Sequence, residues 1–183
     1  MAKESINMIT LMNVAWKRRQ EYASDEFTER FKNLISHAYV EYEKLYQDYC
    51  ASKGMEYKDE IFITFQHIIV FLMLSDDDFL QGEYDAYCKY CKWAGFEALT
   101  VDETRSLYKR LTVDDLCDDI KLLVDLREFI DPENYQAMVQ GFCYLCLSGD
   151  KAMDENEYYI LRCFFEQGYD YAPSSWEQFK KEW

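Results

Sequence analysis

Residues Ile61 to Leu74 read Ile-Phe-Ile-Thr-Phe-Gln-His-Ile-Ile-Val-Phe-Leu-Met-Leu, an apolar run too long for an ordinary strand and unbroken by glycine or proline. It predicts a central helix, apolar almost all round, over about Tyr57 to Leu74. The rest of the chain follows the same rule. Two prolines and six glycines among 183 residues are too few for the tight turns of a sandwich or barrel. An apolar fraction of 49% with 17% aromatics supplies core material that disordered acidic chains lack. The chain therefore predicts an all-α bundle of about eight or nine helices in one domain spanning 1–183.

Helix boundaries are written in capping residues. A first helix spans Ile6 to about Tyr22, with Ile6, Ile9, Met12 and Trp16 at the spacing of one face and Lys17, Arg18 and Arg19 at its end. Ser24 caps a second helix that runs towards Gly54. A fourth covers Gln81 to Ala94 before Gly95, and Thr100 with Glu103 forms a capping-box pattern for a fifth. Thr112 with Asp115 starts a sixth, reaching about Ile130. Asp131-Pro132-Glu133 opens a seventh, which runs through Tyr135 to Leu147. Two more follow, over about Glu155 to Gln167 and Ser175 to Glu182.

An offset of 74 residues sets Ile69 on Cys143, Leu72 on Cys146, Asp76 on Asp150, Glu83 on Glu157 and Tyr84 on Tyr158. Thr100 falls on Ser174 and Glu103 on Glu177, so the capping box is expected to recur in register. This pattern predicts an internal tandem repeat: N-terminal helices over 1–56, a first unit over 57–111, and a connecting helix with a second unit over 112–183.

Both units carry an Asp, two variable residues, an apolar residue, three variable residues and a Glu: Asp76, Phe79, Glu83 and Asp150, Met153, Glu157. With the second copy reading Leu147-Ser148-Gly149-Asp150-Lys151-Ala152-Met153-Asp154-Glu155-Asn156-Glu157, the chain resembles the TerB-like family of bacterial tellurite resistance and stress response. The resemblance covers about Phe62 to Trp183. The glycine usual after the Asp is Asp77 in one copy and Lys151 in the other. The resemblance implies a non-enzymatic stress-response module that works in the cytoplasm beside a membrane-associated complex, with a protein partner.

An Asp in a turn and a Glu in the next helix can converge, and gathered carboxylates suit a hard cation such as Ca²⁺ or Mg²⁺. The candidate ligands are Asp76, Asp77, Asp78, Glu83, Asp150, Asp154 and Glu157. A structural account competes for some of them: Asp154 with Glu157 forms a capping box, and Met153 with Tyr158 its hydrophobic staple. An acidic partner-docking surface is the third reading.

The formal net charge of −15 opposes direct binding to nucleic-acid phosphates or anionic lipid. It leaves open an acidic nucleic-acid mimic that inhibits a binding protein. Asp114-Asp115-Leu116-Cys117-Asp118-Asp119 contains a DDxxD pattern, the basis of a further alternative, Mg²⁺-dependent diphosphate chemistry. No GxSxG, HExxH or Gly-rich phosphate loop occurs. The pairs Cys88/Cys91 and Cys143/Cys146 lie within helices, where a spacing of three favours core packing over zinc. Seven cysteines in apolar stretches, with no transmembrane run and no signal segment at Met8 to Val14, predict reduced thiols and a cytoplasmic location.

Overall fold

The computed structural model describes residues 5–19, 24–75, 79–148, 153–165 and 170–183. Within them run nine α-helices: α1 (Met8–Arg19), α2 (Ser24–Ser52), α3 (Glu60–Leu74), α4 (Gln81–Ala94), α5 (Val101–Arg110), α6 (Val113–Asp125), α7 (Pro132–Cys146), α8 (Glu155–Cys163) and α9 (Trp176–Glu182). Among the described residues there is no strand, and only one isolated bridge, between Asn7 and Tyr171. No described helix is long and apolar enough to cross a membrane.

The apolar run of α3 is buried on nearly every side, with Ile63 as its exposed exception. It packs against α2, α4, α5, α6 and α7. Helices α2 and α7 cross closely at Gly141, where an added Cβ would lie 2.9 Å from Ile35 Cγ2 and 3.3 Å from Leu34 Cβ. A side chain at 141 would hold the helices apart.

Capping explains where most helices begin. Thr100 with Glu103 and Thr112 with Asp115 form complete capping boxes, Asp131 caps α7 ahead of Pro132, and Gly95 closes α4 in the left-handed conformation.

Three expectations are corrected. The buried face of α1 is Met8, Leu11, Met12 and Ala15, with Trp16 exposed, so the helix is rotated from the Ile6–Ile9–Met12–Trp16 stripe. Trp16 instead meets Trp183 edge-on, with ring centroids 5.9 Å apart, and carries Arg19 over its face. The sixth helix stops at Asp125 and gives way to a 3-10 turn, Arg127–Phe129, before Ile130. The cap of α9 is Ser175, accepting from the Gln178 N–H, while Glu177 pairs with Lys180. The register of the first-unit cap, Thr100 with Glu103, therefore slips by one residue at Ser174 and Glu177.

The segment leading into α1 is fastened to the segment that precedes α9. Asp170 accepts hydrogen bonds from the Ile6 N–H and from Arg127, and the Tyr171 N–H donates to the Ile6 carbonyl at 2.9 Å. Arg127 also lies over the Tyr135 ring, 4.3 Å from its centroid.

Candidate functional site

Asp76, Asp77, Asp78 and Asp150 lie outside the described residues. The other three predicted ligands, Glu83, Asp154 and Glu157, sit at the starts of α4 and α8.

Helix α8 begins with Asp154 accepting from the Glu157 N–H and Glu157 Oε2 accepting from the Asp154 N–H, both at 2.8 Å. Helix initiation thus employs Asp154 and one oxygen of Glu157. Met153 and Tyr158, the expected staple, are both buried. Helix α4 starts differently: Leu80 stands at the N-cap with no side-chain bond, and Glu83 projects inward from the first turn.

Glu83 and Glu157 are only 4% and 3% exposed, an environment in which an ionised carboxylate must be hydrogen-bonded or paired. Each is bonded across to the other half of the chain. Glu157 Oε1 accepts from the Ser75 hydroxyl at 2.9 Å, and Ser75 is the residue following α3. Glu83 Oε1 accepts from the Ser148 hydroxyl, and Ser148 stands two residues beyond α7. The carboxylate that follows one acidic segment is therefore held by the serine that precedes the other.

The two carboxylates also share a neighbour. Cys146, at the end of α7, is held well above the ordinary thiol range, first by burial and then by the negative charges of Glu157, Asp154 and Glu83 among its surroundings. A buried, charge-repelled thiol is a packing residue. Cys143, pushed up to about 12 by burial, and Cys91, also to about 12, are the same. Among the described residues no group of three or more His, Cys, Asp or Glu is arranged to hold a metal ion.

The acidic pattern of the sequence marks Glu83 and Glu157 but assigns no role to their partners Ser75 and Ser148. The signal available was their position, each at the end of an apolar helix and just before an acid-rich segment.

The DDxxD residues are spread over several duties. Asp115 is engaged in the α6 capping box, and its carboxyl is lowered from the usual range by the bonds from Thr112. Asp119 accepts from Thr64 at 3.2 Å and pairs with His67 Nδ1 at 2.8 Å. Asp115, Asp118 and Asp119 border a solvent-open hollow of about 540 Å³ with His67 and Arg110.

Compared with known proteins, the chain matches no family profile, no curated protein and no solved structure.

Proposed function

We propose that the junction of the two acid-rich segments is the working surface of a non-enzymatic, TerB-like stress-response module. It binds a divalent cation, Ca²⁺ or Mg²⁺, and docks a protein partner on the same face. The observation that carries this reading is the crossed pair of bonds, Ser75 to Glu157 and Ser148 to Glu83. These bonds tie the residue immediately before Asp76 to the helix that follows Asp150, and the residue two before Asp150 to the helix that follows Asp76.

Two buried carboxylates in one neighbourhood are a like-charge arrangement that a nearby cation relieves. Asp76, Asp77, Asp78 and Asp150 are close to this junction along the chain and supply the oxygen donors that a hard cation takes. Asp154 and Glu157 act mainly in support, starting α8 and fixing one edge of the junction. The acceptors Glu83 and Glu157 correspond under the 74-residue offset, while the donors differ by one residue in register, Ser75 falling on Gly149 and not on Ser148. The stress-response role and the cytoplasmic setting beside membrane-associated components come from the family resemblance.

Thermal unfolding with Ca²⁺, with Mg²⁺ and with a chelator tests the reading. A ligand at a hundred times its Kd adds about 2.7 kcal/mol to a protein that binds it only when folded. Either ion is expected to raise Tm in the wild type, and Asp76→Ala is expected to remove the rise. An unchanged Tm with both ions contradicts cation binding.

A further inference from the structure

Cys117 and Cys163, 46 positions apart in the sequence and in neither CxxC pair, have their sulfurs 3.4 Å apart. Cys117 lies on α6 and Cys163 ends α8, two helices packed side by side. Both residues are partly exposed, whereas Cys50, Cys91, Cys143 and Cys146 are buried. The Cys163 thiol can donate to the Tyr159 carbonyl at 3.2 Å, which leaves the Cys117 thiol as donor to the Cys163 sulfur.

The two sulfurs border a cavity of about 510 Å³ that also takes in Lys121 and Arg162, with Asp118 and Asp125. That volume falls within the range of small-molecule sites. Two cationic groups offset two anionic ones, so this is a locally balanced patch on a chain of net charge −15. Small anionic thiol reagents are repelled less there than over the acidic faces of the chain. Reactive thiols are those with access to solvent and nearby cations, and this pair has both.

We propose that Cys117 and Cys163 form a thiol–disulfide modification site, oxidised to an intramolecular disulfide by exchange with a low-molecular-weight disulfide such as glutathione disulfide. One cysteine loses its proton, and its thiolate attacks a sulfur of glutathione disulfide. A protein–glutathione mixed disulfide forms, and one glutathione thiolate leaves and takes up a proton. The second cysteine then loses its proton and attacks the protein sulfur of the mixed disulfide. The Cys117–Cys163 bond forms, and a second glutathione leaves and is protonated. Two protein thiols are oxidised and one glutathione disulfide is reduced to two thiols. The bond requires the sulfurs to approach from 3.4 Å to about 2.05 Å. It would pin to α6 the far end of the helix whose first turn carries Glu157, without depending on a cation at the acidic junction.

The test is incubation of the folded full chain with glutathione disulfide, alkylation of the remaining thiols, and peptide mapping by mass spectrometry. The expected result is a Cys117–Cys163 cross-linked peptide as the main oxidised product, with intact mass lowered by two hydrogens. Cys117→Ser and Cys163→Ser should each stop at one bound glutathione on the surviving partner, while keeping wild-type helicity. Wild-type protein with no such cross-link, or with cross-links scattered among the other cysteines, overturns the proposal. So does a pair of folded serine variants that take up no glutathione.

Discussion

The Ser75 hydroxyl donates to Glu157 Oε1 at 2.9 Å across 82 positions of sequence, joining the end of α3 to the first turn of α8. Because Glu157 is also the N3 residue of the α8 capping box, one buried side chain closes a helix start and a long-range contact together. Glu157→Ala is expected to destabilise the chain by about 2–4 kcal/mol, since it removes a cap and leaves the Ser75 hydroxyl without this acceptor. Ser75→Ala should cost about 1–2 kcal/mol. Urea unfolding of both single variants and the double variant reads the coupling; strictly additive losses would show that the two residues act independently.

At the crossing of α2 and α7, steric contact opposes helix propensity. Alanine is preferred to glycine in a helix by about 1 kcal/mol, yet the Cβ of Gly141→Ala would meet Ile35 Cγ2 at 2.9 Å. The variant is expected to lose about 1–3 kcal/mol net, as overpacked cores do. A chemical-denaturation midpoint at or above that of the wild type would mean that the helices part without cost.

The Arg127–Asp170 pair has side chains only 10% and 1% exposed. Removing one partner from a buried pair costs about 3–5 kcal/mol, so Asp170→Ala is expected to be strongly destabilising. It also removes the acceptor of the Ile6 N–H. Hydrogen exchange should therefore quicken at residues 5–8 before it quickens in α3, and equal protection in both variant and wild type would refute the fastening role.

Glu29 on α2 bonds Lys32 at 2.5 Å and Lys89 of α4 at 2.6 Å, and these partners lower its carboxyl from the usual 4.5 to about 2. A carboxylate with a lowered folded-state pKa contributes stability in full above its unfolded value. That contribution is lost as pH falls from about 4.5 to about 2. Stability measured across that window should fall less steeply in Glu29→Gln than in the wild type. Because Glu29 and Lys89 face solvent, added salt should shrink the difference.

Local chemistry made much of this fold legible. Helix α4 runs from Gln81 to Ala94 as read, and the caps at Thr100, Thr112, Asp131 and Asp154 were visible because each bonds within four residues. Rotation about a helix axis is less local. In α1, apolar residues at Ile6, Met8, Ile9, Leu11, Met12 and Trp16 admit two overlapping stripes, and packing against α7 selects the one with Ala15 inside. The slip from Ser174 to Ser175 in the last cap has a similar origin: both serines bond Gln178, Ser175 by accepting from its N–H and Ser174 by donating to its Oε1, and only the backbone decides which one caps. In the candidate site, Glu83 and Glu157 stood out by pattern. Their serine partners did not, because a contact between residues 65 or 82 positions apart leaves no periodic trace.

Calorimetric titration of Ca²⁺ and Mg²⁺ into the wild type, Asp76→Ala and Asp150→Ala addresses the acidic junction most directly. The crossed bonds from Ser75 and Ser148 are the ground for the proposal that the two segments serve one site. The wild type should give saturable heat with at least one ion, and each single variant, with wild-type helicity, should lose it. No heat from the wild type, or heat that survives both substitutions, would contradict the account.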